Sequence, residues 1–169
     1  MTQGTWIGLL ARQSRSNAPI GWDEMVVGHD FGLLSPREIQ DWTLEQGFGG
    51  PCCRQLVALE GEGLTRFEEA LWAACAECTG KVPRPGGNRW GRAQDRWRVA
   101  LLKDALESPL SPEALAVVVE SIYERVGCPE DMLELWQRHS PWQNRPGSAD
   151  RATVDRFLRR CEDELATAV

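Results

Sequence analysis

Capping signals recur along the chain, each followed by an apolar stripe at helical spacing, and nothing else in the sequence limits the fold as strongly. Ser35-Pro36-Arg37-Glu38 supplies an N-cap, a proline at the first helical position and a glutamate at the third, the pattern of a capping box. The helix behind it should turn Ile39 and Trp42 inward and stop at Gly47, a left-handed C-terminal position. Thr65 and Glu68 repeat the box ahead of Phe67, Ala70, Leu71, Ala74 and Cys78, with Gly80 as the stop. Ser111-Pro112 opens a third helix carrying Leu115, Val118, Val119, Ile122 and Val126, ended by Gly127. Ser148 precedes a fourth, in which Val154, Phe157, Leu158, Cys161 and Leu165 keep one face. Weaker patterns predict helices over 23–29, 51–60, 90–106 and 129–138, and the third of these places Trp90, Ala93, Trp97, Leu101 and Ala105 on a single stripe. Strand alternation is scarce. The expectation is an all-α, single-domain bundle of seven or eight short helices spanning 1–169.

Two segments depart from that pattern. Residues 1–19 hold only a short apolar run, Trp6 to Ala11, and are expected to pack loosely. The stretch 81–88, KVPRPGGN, is a Pro/Gly loop expected to separate two helical layers within the one domain. A chain of 169 residues should bury roughly 70% of its unfolded surface, so neither metal nor disulfide is needed for folding. The N-terminus lacks the basic start and long apolar run of a secretory signal, and no stretch reaches the roughly 18 apolar residues of a membrane span. The expected location is the cytoplasm, with no membrane partner. The six cysteines are accordingly read as reduced thiols.

Few residues suggest chemistry. Cys75-Ala76-Glu77-Cys78 is a CxxC, and Cys52-Cys53 would complete four thiolates. The CxxC lies inside an amphipathic helix, however, and the second pair is adjacent rather than spaced as in a zinc knuckle. Core or half-buried thiols are therefore favoured, with no metal, cofactor or catalytic residue assigned, while a metal or redox role for Cys75 and Cys78 stays open. Two histidines are too few for a multi-histidine metal site, and carboxylate pairs such as Asp41/Glu45 read as solvated surface. An enzyme using helix-borne carboxylates is an alternative.

Charge is unevenly spread. The net charge is −6, yet residues 81–98 hold six basic residues against Asp95 alone. Arg89, Arg92 and Arg96 share a helical face beside Trp90 and Trp97, which makes a nucleic-acid stripe a second alternative. The overall acidity opposes it, and pairing of these arginines with neighbouring acids is favoured. Of the eight tryptophans, Trp42, Trp90 and Trp97 fall on core stripes, whereas Trp142 stands in a loop context, SPWQN. The acid runs Glu60-Gly61-Glu62 with Glu68-Glu69, and Glu130-Asp131 with Glu134, are the densest. The second opens a helix, where it offsets the macrodipole. Glu60 and Glu62 have no such duty and are the favoured partner contacts, with Trp142 as an apolar anchor.

Two stretches carry a family resemblance. One is Ile20-Gly21-Trp22-Asp23-Glu24 through Gly28, with Gly32-Leu33-Leu34-Ser35-Pro36-Arg37-Glu38-Ile39. The other is Arg96-Trp97-Arg98-Val99-Ala100-Leu101-Leu102-Lys103-Asp104, then Ile122-Tyr123 and Pro129-Glu130. Together they resemble a bacterial family of small helical proteins, the domain of unknown function numbered twenty-two forty-seven. The resemblance implies a non-catalytic, immunity-protein-like role, in which an acidic protein neutralises a cognate toxin by stoichiometric binding. It carries over no catalytic residue.

Overall fold

The computed structural model describes residues 6–13, 19–59, 61, 63–139 and 150–167. Among the described residues the chain forms nine α-helices, one 3-10 turn and no strand, and 77% of them are helical. The fold is all-α. By contact it divides into two compact units, one built on Ile20–Ala93 and the other on Gln94–Val169 with Gly8–Pro19. The division falls within a helix, between Ala93 and Gln94, rather than in the 81–88 loop.

The segment expected to pack loosely contains helix α1, Trp6–Gln13, whose Leu9 and Leu10 are buried. Its hydrophobic positions are adjacent rather than spread over several turns, so a single turn of helix carries the whole signal and the sequence pattern is too short to reveal it.

The first unit contains α2 (Trp22–Asp30), α3 (Pro36–Glu45), α4 (Pro51–Ala58), α5 (Leu64–Thr79) and the start of α6 (Asn88–Glu107). Helix α5 packs on α4 and α2, and α3 packs on α4. The α3 capping box forms as expected: the Ser35 hydroxyl accepts from the Glu38 amide and the Ser35 amide donates to the Glu38 carboxylate. Gly47 and Gly80 adopt the left-handed conformation that ends α3 and α5. Thr65 does not cap α5. The helix starts earlier, with Gly63 as its N-cap, which leaves Thr65 exposed in the first turn.

Two side chains join the elements of this unit. The buried Gln40 amide donates to the carbonyls of Leu56 (3.0 Å) and Leu59 (2.7 Å), satisfying orphan acceptors where α4 ends. Arg89 donates to the Lys81 carbonyl (2.8 Å) and the Thr79 hydroxyl (2.9 Å) at the end of α5, and pairs with Asp23 on α2. Trp22, Trp42 and Phe48 form an aromatic cluster with ring centroids 5.1–5.5 Å apart. These contacts tie α3 to the end of α4 and α2 to the end of α5, and α4 and α5, packed directly on each other, build the site described below.

The second unit contains the remainder of α6, α7 (Pro112–Arg125), a 3-10 turn (Glu130–Met132), α8 (Leu133–His139) and α9 (Arg151–Thr167). Ser111 caps α7, its hydroxyl accepting from the Ala114 amide. For α9, Asp150 accepts from the Ala152 amide at 3.0 Å, and Ser148, the expected cap, lies outside the described residues. Aspartate two residues nearer the apolar stripe does the same chemistry as serine. At the other helix ends, Gln94 donates to the Val126 carbonyl (2.6 Å) and Arg151 to the carbonyls of Leu106 and Ser108.

The α6 stripe is buried along its whole length, from Trp90 and Ala93 in the first unit to Trp97, Leu101 and Ala105 in the second. Trp97 is fully enclosed. Val119, Ile122, Val154, Leu158 and Cys161 are also buried in the second unit.

Candidate functional site

Helix α4 begins Gly50-Pro51-Cys52-Cys53, and the last turns of α5 read Cys75-Ala76-Glu77-Cys78-Thr79. Packing of α4 on α5 carries the Glu77 carboxylate to the start of α4. There it accepts from the backbone amides of Cys52 (3.2 and 3.3 Å) and Cys53 (3.3 Å), groups that a helix N-terminus leaves without intrahelical partners. Gly50 makes room for this approach, because a Cβ at that position would overlap the carboxylate. The requirement here is space rather than backbone conformation, since Gly50 has an ordinary φ of −64°.

The same packing brings Cys53 Sγ to 3.5 Å from Cys78 Sγ. The sulfurs of Cys53 and Cys78 and a Glu77 oxygen all lie within 4.8 Å of one another. Cys53 is buried, while Glu77 and Cys78 are exposed, so the group opens to solvent on one side. Burial pushes the Cys53 thiol up to about 12, with the Cys78 hydrogen bond and the Glu77 charge adding to the shift. Desolvation works against ionisation of Glu77, but the hydrogen bonds from the amides of Cys52 and Cys53, together with those from their thiols, hold the carboxyl below its ordinary value.

The two cysteines of the CxxC thus face different surroundings. Cys75 continues the buried face of α5 in place of Cys78, and its sulfur faces the Thr79 hydroxyl and the Lys81 carbonyl. Four positions on from Leu71 is Cys75, and four on from Ala74 is Cys78. The apolar face rotates toward the first of these.

A second polar group lies in the other unit. Arg98, only 2% exposed, contacts Asp131 at 2.6 Å and Asp95 at 2.8 Å, and its guanidinium lies 5.4 Å from the Phe157 ring centroid. Burial raises the Asp95 carboxyl, against the pull of Arg98, and the nearby Asp131 charge raises it further. Burial also pushes the adjacent Cys161 thiol up to about 11, despite the lowering effect of Arg98. Arg98 and Arg89 are therefore engaged in ion pairs with acids, and Arg96 donates to the Pro19 carbonyl. Three arginines of the basic 81–98 stretch join parts of the fold in this way. Asp131, from the helix-opening acid run, is part of that support.

The expected partner contacts Glu60, Glu62 and Trp142 lie outside the described residues. Among the described tryptophans, Trp72 on α5 is the one with a large exposed surface, at 46%. Leu64 lies two turns before it at 61% exposure, and the exposed Glu69 lies one turn before it. The sequence signal was available: Trp72 falls off the Phe67, Ala70, Leu71 and Ala74 stripe. A cleft of about 230 Å³ between α8 and α9, lined by Glu134, Arg156, Phe157 and Arg160 among others, is smaller than the roughly 300–1,000 Å³ of small-molecule sites.

Among the described residues no helix is long and apolar enough to cross a membrane. No curated protein and no solved structure matches the chain. One family model does, over residues 12–165, and its description reads "Uncharacterized protein conserved in bacteria (DUF2247)". That match covers nearly the whole sequence, including both stretches that carried the resemblance, and the chain belongs to this family.

Proposed function

We propose that this chain is a non-catalytic binding protein that acts in the cytoplasm by holding a basic protein partner stoichiometrically, in the manner of an immunity protein neutralising its cognate toxin. The observation that carries the reading is the outer face of α5, where Trp72 and Leu64 are exposed and the exposed Glu69 lies one turn before Trp72. A tryptophan half out of water on a rigid helix is the usual anchor of a protein interface, and adjacent acid selects a basic partner. Glu60 and Glu62 precede Leu64 in the sequence and extend the same acidic run, so they are further contacts in this reading. Trp142 stands as a separate candidate anchor. The net charge of −6 supports fast, salt-sensitive association with a positive surface.

The test takes as ligand the protein that the folded chain captures in a pull-down from its native host, which this reading requires to be basic. Trp72→Ala should weaken binding by at least about 2 kcal/mol, the size of an interface hot spot, without changing the fold. Reversing Glu60 and Glu62 to lysine should slow association and flatten its dependence on salt while the melting temperature stays nearly unchanged. Binding that is indifferent to Trp72→Ala and equally fast at low and high salt would contradict the reading.

A further inference from the structure

Two thiols and one carboxylate brought together from two helices are the donor types that a borderline-soft divalent cation selects. We propose that Cys53, Glu77 and Cys78 form a zinc site, with solvent in the fourth position. The spacing of the two sulfurs fits this use. A tetrahedron with Zn–S bonds of about 2.3 Å has a sulfur–sulfur edge of about 3.8 Å. The observed separation is 3.5 Å. A disulfide, at about 2.05 Å, would require the two sulfurs to close much further. Calcium and magnesium prefer all-oxygen shells, so the two sulfurs select against them.

The surroundings are those of a held ligand set. Glu77 is oriented by two backbone amides and seated against Gly50, which leaves further lone pairs on its oxygens for a cation. The positive end of α4 faces the Glu77 carboxylate, and the ion itself supplies the charge that stabilises the two thiolates. Binding exchanges protons for metal: each thiol gives up its proton to solvent and its sulfur lone pair to zinc, so one zinc releases two protons. This role is independent of the partner face on α5.

The measurement is competition of the reduced, full-length chain against a chromogenic zinc chelator, with proton release followed in weak buffer. Glu77 and Cys78 are exposed, so Glu77→Gln and Cys78→Ser should keep the helical dichroism of the parent. Loss of a second-sphere partner lowers metal affinity roughly 10–100-fold, and loss of a direct ligand should do at least as much. The expected result is one zinc per chain, two protons released, and affinity lowered at least about tenfold in each variant. Cys128→Ser, a control at an exposed thiol outside the group, should bind as the parent does. No zinc uptake by the folded parent, or uptake undiminished in both Glu77→Gln and Cys78→Ser, would overturn the assignment.

Discussion

Each unit of this protein gathers carboxylate and sulfur at one place, and the two groups are completed differently. In the second unit the positive charge is built in. Arg98 is buried between Asp95 and Asp131, close to Cys161, with Phe157 against its guanidinium. In the first unit Glu77, Cys53 and Cys78 meet at the start of α4, where Glu77 accepts from the backbone amides of Cys52 and Cys53 and from their thiols. A guanidinium cannot be exchanged, so the Arg98 group is a structural joint. A group whose donors converge at metal-like spacing and open to solvent is suited to taking a charge from outside. Similar chemistry serves stability in one place and binding in the other, and burial of the cation decides which.

The largest effects should come from the unit with the buried cation. Trp97→Ala, one residue from Arg98 and at full burial, should cost about 3–5 kcal/mol, read as a shift in the urea midpoint. A coincident midpoint would mean that the α6 stripe does not carry the core. Arg98→Ala should follow at about 3 kcal/mol, the lower end for breaking a buried pair, because Asp95 and Asp131 are partly exposed and regain water. Arg98→Met, which keeps the stem but not the charge, should recover part of that loss. If Arg98→Ala proved neutral, the contrast between a closed and an open group would disappear.

A smaller effect is expected with pH. The folded Cys161 thiol ionises only near about 11, whereas a thiol in the unfolded chain ionises near about 8.5. The unfolded state therefore loses its proton first, so this stabilising difference is complete below about pH 8.5 and declines as pH rises toward 11. The melting temperature should fall over that window, and Cys161→Ala should lessen the slope even though it lowers the starting value. An identical slope in the variant would show that the thiol is not held neutral by its surroundings.

How much of this was legible beforehand depended on distance along the chain. The α3 box at Ser35 and Glu38, the stops at Gly47 and Gly80, and the burial of Trp90 and Trp97 all follow from signals within a few turns, and they appear as expected. Thr65 misled because a cap is defined by where the helix starts, and the helix starts at Leu64, one residue before it, with Gly63 as the cap. Of the CxxC, Cys78 joins the group at the start of α4 and Cys75 does not. Helical spacing alone could not say that Cys75 turns inward and Cys78 outward, nor that Cys53, from another helix, would arrive beside it. Glu77 was read only as the filler of the motif. Its place depends on α4 presenting two amides to α5, a tertiary arrangement that leaves no local pattern beyond Gly50-Pro51 ahead of the two cysteines.

Amide hydrogen exchange of the reduced chain with and without zinc tests the contrast between the two groups most directly. Zinc should slow exchange at the start of α4 and the last turns of α5, the segments that hold Cys53, Glu77 and Cys78, and leave the segments around Arg98 in α6 and Cys161 in α9 unchanged. Protection that is absent from the α4 and α5 segments, or equal around Arg98, would contradict the division of the two groups into one open to a cation and one already complete.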